Sequence, residues 1–429
     1  MALLLENLRC IDPSVDLDML ANIAIKDGKI VSVGPDAAIE KGERRDLSGK
    51  IALPGLMDMH VHLRDPGQEY KEDLTSGGNA AARGGFTTVL AMPNTSPVIS
   101  DGSQVSYVIN RAQNATKTRI YVAGALTRGL KGQSLAEMGD MYQNGAVAFT
   151  DDGRGVQDSG ILRLAMDYCR QFNVPVLSHC QDESLVGKGV VNEGVVSTRL
   201  GLAGWPAVAE ELPIARDIAL AELTGCAVHI QHISTAKGVN LVRAAKERGL
   251  PVTCEVTPHH LFLDENSLDT NYQTSLKMNP PLRTKADTEA LQTALIEGVI
   301  DCVASDHAPH AAHEKELEFE LAPFGTTGLE TALSLVLDRM VRPGLLSYQL
   351  LISRMAHAPR SILGLEPVSL AAGSIADITI IDPNELWMVG NEGWQSKSAN
   401  SAFAGTELCG RATDVYVGGY ASLQNGEVL

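Results

Sequence analysis

The stretch Leu56-Met57-Asp58-Met59-His60-Val61-His62-Leu63-Arg64 reads as a short buried strand carrying two histidines two residues apart. Residues i and i+2 of a strand face the same way, so His60 and His62 can point at one metal ion, and imidazole is a common ligand. Two histidines on a strand are as readily hydrogen-bonded core residues. Other ligand-type residues arriving at the same place would decide between the two.

Further short β-rich runs lie at Phe86 to Met92, Ile120 to Ala125, Ala146 to Thr150, Pro175 to His179, Ala227 to His232, Val252 to Val256 and Cys302 to Asp306. Longer helical patterns such as Leu212 to Leu223 and Lys285 to Ile296 separate them. That alternation is the signature of parallel βαβ units, and about eight of them make a (β/α)8 barrel, in which the strand ends converge on one catalytic face. Asp152 follows the fourth run, His179 ends the fifth, His232 the sixth and Asp306 the eighth. Each alone could be a cap or a satisfied polar residue; together with His60 and His62 they form a candidate metal cluster. His229, three residues before His232, and Asp151, beside Asp152, are expected to face away and to serve packing or support.

The seven cysteines are scattered, never in a CxxC pair, and read as reduced thiols rather than staples or metal ligands. Imidazoles and carboxylates without thiolate suit zinc or a related divalent ion with room for a water. Such an ion lowers the pKa of water and polarises a carbonyl, and a neighbouring carboxylate can move the proton. The chemistry implied is hydrolysis.

At the start of the chain, Ile23 to Ile25 and Ile30 to Val33 flank Asp27-Gly28, a hairpin signal. Near the end, Ile378 to Ile381 and Asp414 to Val417 are similar short strands. Residues 1–52 and 366–429 are therefore expected to form one small composite β domain around a barrel of residues 53–365. The Glu-rich stretch Ala311 to Pro323, directly after the eighth run, is expected to be a loop on the catalytic face, either a lid or a solvated acidic loop.

A formal charge of -17 in 429 residues argues against a nucleic-acid surface and requires local cations wherever an anionic substrate binds. No membrane span or signal peptide is recognisable, which makes a cytoplasmic location the default expectation.

Asp58 to Gly67 matches the first signature of type I dihydroorotases, and Ala304-Ser305-Asp306-His307-Ala308-Pro309-His310, with Lys315 shortly after, matches the second. The chain resembles that family, a branch of the metal-dependent amidohydrolases, over nearly its whole length. The resemblance implies a TIM barrel with a β unit built from both termini. It implies interconversion of N-carbamoyl-L-aspartate and L-dihydroorotate, a step of pyrimidine biosynthesis, with one or two Zn2+ ions per chain. His60 and His62 would hold the more buried ion, Asp152 would bridge, His179 and His232 would hold the second, and Asp306 would be both ligand and proton shuttle. Arg64, Asn94, Asn279 and His310, with His62 and the backbone of Phe324-Gly325, would bind substrate. A homodimer and an association with aspartate carbamoyltransferase are further implications.

Arg64, two residues beyond His62 on the same strand face, would offer a bidentate cation to a carboxylate; the alternative is a surface salt bridge. Asn94 could equally be a turn residue. Related allantoinases and dihydropyrimidinases place a carboxylated lysine at the end of the fourth strand, whereas this chain reads Ala148-Phe149-Thr150-Asp151-Asp152-Gly153. Inactive scaffold relatives lose ligands, and here every ligand position is filled. Gln181, where many relatives carry Glu, and Ala311 and Thr326 depart from the usual pattern, but none of the three is itself an expected ligand.

Overall fold

The structure, a computed structural model, describes residues 2–268, 270–390 and 393–429. All eight expected strands form, at Leu56–Val61, Phe86–Ala91, Arg119–Gly124, Ala146–Phe149, Val176–Ser178, Val228–Ile230, Val252–Val256 and Cys302–Val303. They make one sheet in chain order, each strand parallel to the next. A parallel bridge between Val61 and His307 brings the eighth strand back to the first, and His62 N donates to His307 O at 2.9 Å, so the sheet closes into a barrel.

Alternation along the strands divides two cores. Outward residues such as Val89, Val122, Val228 and Val256 pack under the helices with Val105, Leu162, Ile214, Val242 and Leu291. Met57, Met59, Leu90, Ala123, Ala148, Leu177 and Cys302 meet inside the barrel as its floor. Truncating one such buried aliphatic residue to alanine costs about 2–5 kcal/mol. The helices begin and end where local chemistry allows. Lys285–Glu297, for example, opens with a reciprocal Thr284/Asp287 cap and stops at Gly298, whose φ of 86° is left-handed. The helix expected around Leu212 to Leu223 spans Val208–Thr224.

The register of the first strand against the second shifts between Asp58 and Val61. Asp58 sits at this irregularity and accepts from the His60 and Ser305 amides, each at 3.1 Å. The shift allows Met57 and Met59 to fill the floor while His60 and His62 also face the interior, which strict alternation would forbid.

A second sheet draws on both ends of the chain. Its strands are Ala2–Asp12, Leu17–Lys26, Lys29–Gly34, Glu43–Asp46 and Ile51–Pro54, then Ile378–Met388, Glu407–Val417, Tyr420–Gln424 and Glu427–Val428. The two ends join where Ile51–Pro54 pairs antiparallel with residues 378–381. Asp27 and Gly28, at φ 49° and 80°, make the expected hairpin turn. The connection between Ile378–Met388 and Glu407–Val417 carries Asn400 back to the mouth of the barrel, where its side chain bonds to Ala308, His310 and Gly325. The seven cysteines are buried and unpaired. Among the described residues, no helix is long and apolar enough to cross a membrane.

Candidate active site

The strand ends bring together all six of the expected ligand-type residues. Asp152 Oδ1 lies 3.3 Å from His60 Nε2, 3.4 Å from His179 Nδ1 and 3.8 Å from His232 Nε2. Asp306 Oδ1 lies 3.0 Å from His62 Nε2 and 3.5 Å from His60 Nε2. His60, Asp152 and His232 form one group, and His60, His62 and Asp306 another, whose candidate ligand atoms lie within 4.8 Å of one another.

Three of the four imidazoles are oriented by an acceptor on the ring nitrogen that faces away from this centre. His60 Nδ1 meets Glu255 Oε1 at 2.6 Å, His62 Nδ1 meets Asn94 Oδ1 at 2.8 Å and His179 Nε2 meets Gln181 Oε1 at 2.9 Å. A ring that donates through one nitrogen presents a lone pair at the other, so all three aim lone pairs inward. His60 Nε2 and Asp152 Oδ1 are buried without a hydrogen-bond partner, a rare condition for polar atoms. A cation between them would satisfy both, so the donor set fits a divalent metal.

Electrostatics agrees. Burial alone would lower His60, but Asp152, Glu255 and Asp306 outweigh it and hold it well above the usual range. Burial would likewise raise Asp152, yet His60, His179 and His232 hold it well below the usual carboxylate range. Asp306 is held down against burial by His60 and His62. The cluster is built to hold positive charge.

Above it lies a cavity of about 220 Å³ bounded by His62, Arg64, Asn94, Asp152, His179, His232, Asn279, Asp306, His310, Phe324 and Gly325. It thus collects every site residue expected from the sequence except His60, which is fully buried beneath it. Arg64 is buried, and its Nε donates to Pro309 O at 3.2 Å. Among the described residues no ion pair or hydrogen bond engages its terminal nitrogens, which disposes of the salt-bridge alternative. The route to the pocket differs from the expected one. The first strand ends at Val61, and Arg64 enters by a left-handed turn with φ 59° rather than along a continuing strand face. His232 (φ 32°) and Asp306 (φ 47°) are also left-handed, and non-glycine residues in that region concentrate at functional sites.

His310 is pushed down to about 2 by burial and by Arg64 and is a neutral imidazole. Its Nε2 donates to Phe324 O at 2.8 Å, and its buried Nδ1 has no hydrogen-bond partner. Asn279 donates to Gln181 Oε1 at 3.1 Å and leaves its own Oδ1 without one. Gly325 needs to be glycine, because at φ 123° an added Cβ would lie 2.6 Å from the Ala308 Cβ. The loop 311–323 is anchored at several points. Lys315 Nζ donates to Pro323 O and Thr274 O, Lys277 Nζ to Glu320 O and Ala322 O, and Lys71 pairs with Glu314.

Asp151 takes the structural part expected of it, accepting from the Leu126 and Thr127 amides. His229 does not face away from His232. The sixth strand stops at Ile230 and His232 turns left-handed, so His229 also points inward, bonding to Glu255 at 3.2 Å. Its supporting role stands, its expected orientation does not. Sequence reasoning passed over Glu255 and Asn400. For Glu255 a signal existed, a carboxylate inside a short apolar run next to the strand's end.

Residues 49–238 match the dihydro-orotase-like family. The chain is 47% identical to a dihydroorotase of Citrifermentans bemidjiense, covering 99% of this chain and 100% of that protein. It is 43% identical to a dihydroorotase of Acetivibrio thermocellus, with 100% and 98% covered. Among solved structures, an L-hydantoinase (dihydropyrimidinase) from Arthrobacter aurescens superposes with a TM-score of 0.89 at 26% identity, covering 100% of this chain and 97% of that one. A dihydropyrimidinase from Brevibacillus agri reaches 0.86 at 22% identity, covering 100% and 96%, a likeness of fold alone. Full-length identity of this order to such relatives, joined to a closed parallel barrel with a histidine–aspartate centre at its mouth, places the chain in the dihydroorotase family of metal-dependent cyclic amidohydrolases.

Proposed function

We propose that this chain catalyses the reversible ring opening of L-dihydroorotate to N-carbamoyl-L-aspartate. The observation that carries the reading is a single pocket holding an inward-aimed imidazole–carboxylate cluster and, above it, a guanidinium with free terminal donors. His60, His62, Asp152, His179, His232 and Asp306 would hold one or two divalent ions, with zinc the expected metal for this donor set. When bound, such an ion polarises the carbonyl under attack and acidifies water.

The remaining steps belong to side chains. Arg64 binds the substrate carboxylate through its terminal nitrogens, a charge-assisted contact in an acidic protein. The unpartnered His310 Nδ1 and Asn279 Oδ1 are acceptors suited to ring N–H groups. The Phe324-Gly325 backbone closes one wall, and Asn94 holds His62 in orientation. Asp306, ionised in the resting site, takes the proton of the attacking water and returns it to the departing nitrogen. Water adds across the ring amide, and ring closure runs the same transfers backward.

The reading extends to a catalytic unit of residues 53–365 with an accessory unit of 1–52 and 366–429. It also includes a homodimer, association with aspartate carbamoyltransferase and a cytoplasmic setting. The functional test is His60→Ala and His179→Ala, each expected to lose bound metal and turnover while circular dichroism stays that of the wild type. Normal turnover in either variant would refute the ligand assignment.

A further inference from the structure

The seventh strand, Val252–Val256, contributes no residue to the ligand cluster, yet carries a fully buried glutamate one residue before its end. Both carboxylate oxygens of Glu255 are engaged. Oε1 lies 2.6 Å from His60 Nδ1 and accepts from the His232 amide at 3.3 Å, while Oε2 lies 3.2 Å from His229 Nε2. His229 Nδ1 in turn meets Thr253 Oγ1 at 2.8 Å. One carboxylate therefore touches the backbone or side chain of two expected ligands from beneath, and is itself held by a histidine on the sixth strand.

We infer that Glu255 is a positioning residue for the metal centre, fixing His60 as the tautomer protonated at Nδ1 and tying the His232 backbone to the same point. The argument rests on the ligand assignment made above. An ionised carboxylate can only accept, so the 2.6 Å contact requires the proton on His60 Nδ1. That commitment leaves His60 Nε2, buried and without a hydrogen-bond partner, as the nitrogen facing Asp152 and Asp306 and available to a cation there. Gln231 Nε2 also approaches His60 Nδ1, at 3.3 Å. The shorter contact to a charged acceptor prevails over this neutral amide.

The contact also makes the ring more basic, because partial proton transfer toward a carboxylate raises the electron density at the opposite nitrogen. The His232 amide gives Glu255 a second task. His232 is at φ 32°, a conformation that costs free energy unless its surroundings enforce it. His229, Glu255 and Cys302 are close enough to suggest an ion site of their own. The His229 nitrogens and Glu255 oxygens are already satisfied, so the trio reads as the underside of the centre above it.

The decisive variants are Glu255→Gln, which keeps shape and removes charge, and Glu255→Ala, which removes both. The reporter is Zn2+ affinity of the full-length apoprotein, measured by competition with a chromophoric chelator, beside the melting temperature of the same metal-free sample. The inference predicts a Zn2+ affinity about ten- to a hundred-fold weaker in Glu255→Gln, with more lost in Glu255→Ala. The metal-free melting temperature of Glu255→Gln should stay within a few degrees of wild type. Wild-type affinity in both variants overturns the inference, as does a collapse of metal-free melting temperature in Glu255→Gln, which would make Glu255 a purely structural group. A wild-type protein that holds no Zn2+ would instead strike the ligand assignment itself, so the two failures are distinguishable.

Discussion

The backbone amide of His310 donates to Asn400 Oδ1 at 3.2 Å, across 90 residues of chain. Asn400 Nδ2 also donates to Ala308 O and to Gly325 O, both at 3.2 Å. One side chain from outside the barrel strands thereby fixes the spacing between the two loops that form the upper wall of the pocket. Asn400→Ala should raise KM for dihydroorotate about three- to thirty-fold, the equivalent of about 0.6–2 kcal/mol for the lost hydrogen bonds. Metal content should not change. Steady-state kinetics beside metal analysis checks this, and an unchanged KM would show that the loops hold their spacing without it.

Arg64→Met should lower kcat/KM for dihydroorotate and carbamoyl aspartate by roughly ten- to more than a hundred-fold, as expected for a charge-assisted bidentate contact worth about 1.5–3 kcal/mol or more. Bound metal should be retained. A neutral analogue without the carboxylate should be handled almost equally by variant and wild type. Equal loss on both compounds would assign Arg64 a structural role.

Asp306→Asn tests the proton shuttle. An amide cannot accept the proton, so kcat should fall by about 10²- to 10⁴-fold, with a smaller change in the dissociation constant of a substrate analogue. Retention of more than about one hundredth of wild-type kcat would contradict the assignment.

Metal affinity should depend on pH with a definite sign. In the metal-free site His60 and His179 are raised above 6.5, held up by Asp152 and, for His60, also by Glu255 against the opposing effect of burial. Each therefore holds its second proton to higher pH than a free imidazole does, and an incoming cation must displace that proton, whereas Asp152 and Asp306 are held toward the ionised form. Apparent affinity should weaken as pH falls and strengthen as it rises through the raised values. Calorimetry in buffers of different ionisation enthalpy should register proton release on Zn2+ binding at pH 7. Absence of release would mean that the imidazoles are already neutral.

Much of this arrangement was legible in the chain. The eight strands announce themselves as short apolar runs because barrel strands are buried on both faces, and the candidate ligand cluster stands out because its histidines and aspartates fall at strand ends, where this architecture gathers functional groups. The register shift at Asp58 has no local signature in the sequence, and the Ser305 amide that Asp58 accepts from there lies far along the chain. Arg64 reaches the cavity wall through a left-handed turn rather than along the strand face, and such a turn at an arginine has no local signature. Glu255 and Asn400 escaped notice for a shared reason. Their partners lie 195 and 90 residues away, and only the closed barrel brings them together.

The central claim is that this pocket opens and closes the dihydroorotate ring using a bound metal. The most direct measurement follows dihydroorotate absorbance in both directions with the purified protein, with metal analysis of the same sample and hydantoin and allantoin run in parallel. The account predicts turnover of dihydroorotate and carbamoyl aspartate, loss on chelation, recovery with Zn2+, and little or no turnover of the other two rings. Turnover of hydantoin or allantoin with none of dihydroorotate would contradict it.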